Sequence, residues 1–355
     1  MWNRRGWARG VASGVLGTAM TRAMAELRPL PPPAQAPVRP AFGKLQLAVD
    51  SRTSFCYLPL TVAERLGYFA AEGLDVQVKE MAEPGQALQA LLSGAVQALS
   101  GPYSASVLLR ARGQSFPSIV VQGRTPQLVM GVSRKSMAGY RDLRDLRGRK
   151  VAIAGIGTGS HRMVQVLLNT ARLGSESVQL VPLGSQSSAL ASFRNGLVDA
   201  ICYSDPVMTQ LEQDGALRVV ADTRTVRGNA DVFGGPLPAG CLSVSAEYLA
   251  SHGAECQAMV DAMVRALKWL QTAGPSDINR TVPESYFHGD RALYLAAFSR
   301  VREAWTPDGL MPEGGPATVA RMLARLDHGT GPEQVDLAQT FTNALALKAK
   351  ARFRL

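Results

Sequence analysis

Between residues 44 and 94 the spacing of apolar positions changes period more than once. The stretch "KLQLAVD", Lys44 to Asp50, alternates as a half-buried strand does, whereas "PLTVAERLGYF" places Val62, Leu66 and Phe69 on one helical face. Gly67 and Gly73 bracket the end of that helix and "LDVQV" alternates again, so the first unit reads strand, helix, strand. In "GQALQALLSG" the idea recurs: Leu88, Leu91 and Leu92 make an apolar face, and Gly94 supplies a left-handed cap before "AVQALSG".

Further on, "RKVAIAGIGTGSHRMVQVLLNTARLG" predicts a strand, a glycine-rich turn, and a helix with Ser160 as N-cap and Gly174 as its stop. After "VQLVPL", the stretch "SALASFRNGLVDAICYSDPVMTQLEQDG" runs helix, glycine, short strand and polar-aromatic loop, the order already met around Gly94. The same nine-residue spacing separates Gly94 from Tyr103 and Gly196 from Asp205, which predicts two lobes built on one plan. Alternating strands and helices give an α/β fold whose mainly parallel sheets are covered by helices, and ligands of such sheets sit beyond the carboxyl ends of the strands. Cys256, Met259, Val260, Met263, Leu267 and Leu270 fall at helical spacing and predict a core helix rather than a cofactor box.

Composition sets the outer limits. With 355 residues, 46% hydrophobic and 19% charged, the chain has apolar surface for one large or two medium domains. Residues 1–25 carry Arg4, Arg5 and Arg9, a short apolar run and Ala23-Met24-Ala25, which reads as a cleaved export signal. "NRRGWAR" and Arg22 suit the twin-arginine route, with general secretion as the alternative. Residues 26–43 are proline-rich and read as an extended linker. Losing the signal removes four arginines from the net charge of +10 and leaves +6, spread out, with no basic run. Nucleic acid is therefore not an expected partner, and no later segment is apolar for long enough to span a membrane, so a soluble, exported protein is expected. Cys56, Cys202, Cys241 and Cys256 are far apart, as are His161, His252, His288 and His328, so metal-ligand spacing is absent and free thiols are expected.

The candidate chemistry lies in loops that follow strands. "SRTSFCYLP" places Phe55 and Tyr57 where a small molecule would be received, with Pro59 in the first turn of the next helix. Tyr57, Tyr103 and Tyr203 occupy comparable loops and would clamp a flat or apolar ligand, with Ser104 as a neutral donor. In "GIGTGSH" the backbone N–H groups around Thr158, Gly159 and Ser160, at the positive end of a helix, suit a sulfonate, nitrate or carboxylate oxygen; Ser160 could equally do no more than cap. His161 either donates to the anion or sits in solvent. Asp205 either meets an amino group on the ligand or caps the helix starting near Pro206, and Arg124 either neutralises an anion or is solvated. No catalytic constellation, metal site or cofactor motif is present in the pattern.

The segments "PLTVAERLGYFAAEGLDV", "DLRGRKVAIAGIGTGSHRMVQVLLNTARLG" and "ALASFRNGLVDAICYSDPV" resemble, in order and spacing, the solute-binding proteins of ABC importers for nitrate, sulfonate, taurine and the thiamine-pyrimidine precursor, the SsuA/THI5-like and NMT1-like family. The resemblance covers nearly all of the chain after residue 25. It implies a fold of periplasmic-binding-protein type II, with residues 44–131 and 236–345 in lobe one, residues 132–235 in lobe two, and a hinge between them. It also implies a monomer in the periplasm that binds a small organic or inorganic anion without cofactor or catalysis and delivers it to an ABC permease in the inner membrane. The alternatives are a binder of a thiamine-pyrimidine-like or other ring compound, or an enzyme on the same fold; such enzymes carry a cysteine-rich iron motif, and here Cys56 stands alone in its loop. One departure stands out. Gln97 occupies the place of the family's G-x-x-D aspartate in the first lobe, while Asp199 keeps it in the second, which puts local strand packing in question.

Overall fold

Among the described residues, ten strands pair into two five-stranded sheets of the same internal order. The structure is a computed structural model that describes residues 41–81, 85–326 and 335–354; the export signal expected at 1–25 and nearly all of the linker lie outside them. The strands are β1 (Lys44–Val49), β2 (Asp75–Glu80), β3 (Ala98–Pro102), β4 (Ser118–Val121), β5 (Leu128–Ser133), β6 (Lys150–Ile153), β7 (Gln179–Pro182), β8 (Ala200–Ser204), β9 (Leu217–Asp222) and β10 (Gly240–Val244). One sheet runs β2-β1-β3-β10-β4 and the other β7-β6-β8-β5-β9. The parallel strands are β1, β2 and β3 in one sheet and β6, β7 and β8 in the other, and one strand of each is antiparallel to both neighbours: β10 in the first sheet, β5 in the second.

Those two antiparallel strands are the ones reached by crossing from one sheet to the other. Residues 122–127 lead from β4 to β5, and residues 223–239 lead from β9 back to β10. The crossovers are bonded to each other at both ends. Thr223 N–H donates to the Leu128 carbonyl at 2.8 Å and Leu128 N–H donates to the Thr223 Oγ1 at 2.9 Å. At the other end Gln122 N–H donates to the Gly240 carbonyl at 2.8 Å and Ala239 N–H to the Gly123 carbonyl at 2.8 Å. The two lobes therefore share a paired, two-segment connection.

The repeated plan reaches individual residues. Gly94 and Gly196, at φ +74° and +70°, end the helices Gln86–Leu92 and Gln186–Arg194 in a left-handed turn that a β-carbon would strain. Gln97 Oε1 then accepts from the Gln46 N–H at 2.8 Å, and Asp199 Oδ2 accepts from the Lys150 N–H at 3.1 Å. Both bonds fasten the turn to the first parallel strand of the lobe. An amide oxygen can take the carboxylate's place as acceptor, and the bond is kept at position 97, so strand pairing there is intact.

Three helix boundaries differ from the sequence reading. The helix expected to hold Val62, Leu66 and Phe69 on one face spans Leu58–Arg65, and Gly67 at φ +68° breaks it, so Leu66 is exposed and Phe69 lies in a second short helix, Tyr68–Ala71. The helix expected to be capped by Ser160 spans Gly159–Thr170, with Thr158 at the capping position, because the Ser160 Oγ is occupied by the Ala154 N–H at 3.0 Å. That helix stops before Gly174: Arg172 takes the left-handed turn at φ +56°, and Leu173 N–H closes on the Leu168 carbonyl at 2.9 Å. The expected core helix is present as Gly253–Thr272, where Cys256, Met259, Val260, Met263, Leu267 and Leu270 are buried. Each such side chain contributes about 1.5–3 kcal/mol by leaving water. It packs against the helices Leu58–Arg65 and Ala344–Phe353, so the C-terminal part of the chain completes the first lobe. No helix among the described residues is long and apolar enough to cross a membrane.

Candidate functional site

The loop after β1 splits its aromatic residues between two tasks. Phe55 turns into the first-lobe core, 4.6 Å from the Tyr294 ring centroid, and its carbonyl accepts from Trp305 Nε1 at 2.8 Å. Cys56 and Tyr57 are half-buried and lie against Gly240, where the second crossover enters β10. A β-carbon on Gly240 would stand 2.8 Å from Cys56 Sγ and 3.1 Å from its carbonyl oxygen, so only glycine lets the crossover come this close. Burial pushes the Cys56 thiol up to about 12, against the pull of the Gly240 backbone, and also holds the Tyr57 hydroxyl well above its ordinary value.

Tyr103 and Ser104 open the helix Tyr103–Ala111 directly after β3. The Tyr103 ring is fully buried; its hydroxyl bonds to Thr340 Oγ1, and its N–H donates to the Ala239 carbonyl on the second crossover at 2.7 Å. Ser104 faces the other lobe. Its Oγ accepts from Arg162 Nη1 at 3.2 Å, a bond between helices that start at the two sheets' strand ends.

Arg162 belongs to the glycine-rich loop and its helix. There Thr158 Oγ1 donates to the Gly155 carbonyl at 2.7 Å and lies 2.9 Å from Ser160 Oγ. The Gly157 N–H donates to His161 Nδ1 at 3.0 Å, which fixes the neutral ring with that nitrogen as acceptor, and burial, aided by Arg162, lowers the His161 pKa. The first amides of the helix, at Gly159, Ser160 and His161, have no carbonyl a turn ahead to bond and carry the positive end of the peptide dipoles. Gly159 also approaches the start of β5, since a β-carbon there would meet a Leu128 methyl at 3.3 Å.

At β8 the side chains are committed inward. Tyr203 is 5% exposed, donates to the Leu183 carbonyl at 2.9 Å, and has its hydroxyl pushed up to about 12 by burial. Asp205 Oδ1 accepts from the Thr209 N–H at 2.8 Å, in the first turn of the helix Val207–Gln213, and Oδ2 lies 3.3 Å from Arg224 Nη1. Asp205 thus follows its capping role. Burial raises its carboxyl pKa although Arg224 and Thr209 pull the other way. Arg224, 4% exposed, also meets Asp222 at 2.5 Å and Glu212 at 2.8 Å; burial opposes its charge, but the three carboxylates outweigh that and hold it protonated. Glu212 reaches onward to Arg300 of the first-lobe helix Arg291–Val301 at 2.6 Å. Arg124 is turned outward from this network, donating to the Glu303 carbonyl at 2.8 Å.

The fold therefore brings Cys56 and Tyr57 against Gly240, Ser104 against Arg162 and Gly159 against Leu128, while Phe55, Tyr103, Tyr203 and Asp205 are held by internal partners. Arg162 and Arg224 were not singled out in the sequence. Arg162 sits in the same helical turn as His161, and Arg224 follows the end of β9, so a strand-end rule applied to every strand points to both. A surface pocket of about 460 Å³, lined by Met311, Pro312, Leu337 and Phe341 among others, shares no residue with these loops. Its charged lining residue is Glu313, which makes it a poor receptor for an anion.

Residues 54–275 match the family model described as NMT1/THI5 like. The solved structure of a protein from Bordetella bronchiseptica RB50 is 36% identical, covers 88% of this chain and 99% of its own, and superposes with a TM-score of 0.82. The chain belongs to the NMT1/THI5-like family. Two more distant structures share the fold of this family member. The alkanesulfonate-binding protein SsuA from Xanthomonas axonopodis pv. citri, bound to MOPS, is 19% identical with a TM-score of 0.62, covering 84% of this chain and 98% of its own. The periplasmic nitrate-binding protein NrtA from Synechocystis PCC 6803 is 12% identical with a TM-score of 0.63, covering 88% and 90%. The architecture is that of the periplasmic binding proteins: two lobes, each with a mixed and mostly parallel sheet.

Proposed function

We propose that this chain is the extracytoplasmic solute-binding component of an ABC importer and holds a small anion between its lobes. The observation that carries the reading is the meeting of Arg162 and Ser104 across the lobes, at the start of a helix whose leading amides are unbonded within it. A guanidinium and a helix N-terminus favour a negative group there. Asp205, the residue that would repel one, is neutralised by Arg224 and by its own burial. SsuA and NrtA, which share the fold, are described as binding an alkanesulfonate and nitrate respectively, and that supports an oxyanion as the ligand class.

In this reading the paired crossovers serve as the hinge, solute binding closes the lobes, and a membrane permease receives the closed monomer in the periplasm after export. The aromatic clamp gains no support from the placement of Tyr103 and Tyr203, which leaves the anion reading ahead of a ring compound.

Isothermal titration of the exported protein against nitrate, short alkanesulfonates, short carboxylates and an aminopyrimidine tests it. Saturable binding of an anion, abolished in Arg162→Met, is the expected result. Heat from none of the anions would overturn the proposal.

A further inference from the structure

Residues 134–150, which join β5 to β6, hold seven cations against two carboxylates. That is a net +5 out of the +6 left once residues 1–25 are removed, so the charge is not spread out as the sequence reading had it. All seven cations, from Arg134 to Lys150, are exposed. The fold ties this segment to one end of the second sheet. Ser133 N–H donates to the Asp199 carbonyl at 2.8 Å, Arg134 N–H to the Ala216 carbonyl at 3.0 Å, and Lys150 N–H to Asp199 Oδ2 at 3.1 Å. The end of β5 and the starts of β6, β8 and β9 therefore meet here.

Strands β6 and β8 run from this end toward the glycine-rich loop and Asp205, so it lies away from the strand ends that face the other lobe. Arg218, exposed near the start of β9, adds an eighth cation: its Nη1 donates to the Tyr140 carbonyl at 2.9 Å, and its guanidinium lies 5.4 Å from the Tyr140 ring centre. Leu197, 61% exposed, sits in the turn just before β8 at the same end. The acidic groups here are half-buried and turned to the backbone. Asp142 accepts from the Arg144 N–H at 2.9 Å and holds its guanidinium at 2.7 Å, and Asp145 accepts from the Arg141 N–H at 2.7 Å. Lys135, Arg141 and Arg147, by contrast, make no hydrogen bond or ion pair through their side chains among the described residues.

Cations that hold nothing in the fold, gathered on one exposed end, fit an extended anionic surface better than a single small ligand. Unpaired bases would need rings to stack on, and the ring within the segment, Tyr140, is buried beneath Arg218. An exposed leucine among cations suits a lipid headgroup layer instead, where the apolar side chain enters and the cations meet phosphates. We infer that the end of the second lobe formed by residues 134–150, Leu197 and Arg218 docks the protein on an anionic lipid surface. Such a contact leaves the strand ends toward the other lobe uncovered, so it goes beyond the solute-binding reading and does not depend on which solute is held.

The test is flotation of the exported protein with vesicles of phosphatidylcholine alone or with about 30% phosphatidylglycerol. The wild type is expected to float with the anionic vesicles at about 0.05 M salt and to stay behind with the neutral ones. At about 0.5 M salt its partitioning should fall about tenfold or more, since screening shortens the reach of exposed charge. Lys135→Gln, Arg141→Gln and Arg147→Gln combined should lower partitioning at low salt about tenfold or more and leave the melting temperature unchanged, because these side chains hold nothing in the fold. Should the combined variant melt early, the neutral vesicles and the salt series decide alone. Equal partitioning to neutral vesicles, a folded combined variant that floats as the wild type does, or retention on duplex DNA at a salt concentration where the vesicles no longer bind would each overturn the inference. The solute-binding reading would stand in all three cases.

Discussion

Arg162 Nη1 lies 3.2 Å from Ser104 Oγ, and this bond joins the start of one lobe's helix to the start of the other's. Serine is a neutral acceptor, so this bond places a cation at the helix start without itself neutralising it. Arg162→Met is expected to lower affinity for the bound anion about tenfold or more, equivalent to about 1.4 kcal/mol, with little change in melting temperature. Ser104→Ala should cost less, since it removes a neutral partner and leaves the cation. Calorimetric titration of both variants checks the order, and equal affinities in Arg162→Met and wild type would sink the assignment.

The paired turns of the two lobes make a second prediction. Gln97 and Asp199 each accept a backbone N–H of the first parallel strand in their lobe, Gln46 in β1 and Lys150 in β6. Gln97→Ala leaves the Gln46 N–H without its acceptor and should cost about 1–3 kcal/mol in denaturant unfolding. Gln97→Asp supplies an acceptor on a shorter stem and should recover only part of that, whereas Asp199→Asn should be mild because an amide oxygen still reaches the Lys150 N–H. If Gln97→Ala proves neutral, the equivalence of the two turns is without energetic content.

How much of this was legible before the coordinates follows the length scale of each cause. Local causes read well in the left-handed glycines at 94 and 196 and the capping role of Asp205, which depend on residues close in sequence, but the period of Val62, Leu66 and Phe69 did not, because Gly67 breaks the helix between them and leaves Leu66 exposed. The two-lobe plan also read well, because a repeat in sequence becomes a repeat in topology. Side-chain direction did not. Phe55 and Tyr203 were expected in loops where a ligand would be met, yet Tyr203 lies within β8, and Tyr294, Trp305 and the Leu183 carbonyl draw the two inward, partners up to 250 residues away in the case of Trp305.

Arg224 supports a third prediction, on stability. It is the shared cation of Asp205, Asp222 and Glu212, and breaking a buried pair by removing one partner leaves a charge in a poor solvent. Arg224→Met should destabilise the protein by about 3–5 kcal/mol, read from urea unfolding. Asp205→Asn should cost less, because its amide oxygen can still accept from Thr209 N–H and Arg224 retains two carboxylates. Adding Asp205→Asn to Arg224→Met should recover part of the loss. Strict additivity of the two changes would show that these groups are not coupled.

The glycine-rich loop carries its own acid sensitivity through His161. Its Nδ1 accepts from the Gly157 N–H, a bond that only the neutral ring can make, and burial together with Arg162 lowers its pKa from the ordinary 6.5. A depressed folded-state value means that the unfolded chain takes up its proton first as pH falls. The stability held by this group is therefore fully present above about 6.5 and is lost as pH drops through the lower folded value. An NMR titration of the ring protons should place His161 below 6.5, with the Gly157 amide signal moving in step. Melting of the wild type should also fall more between neutral pH and mild acid than melting of His161→Gln, which has no proton to gain. A measured value at or above 6.5, or a Gly157 amide indifferent to pH, would mean that the loop is not organised by the neutral imidazole.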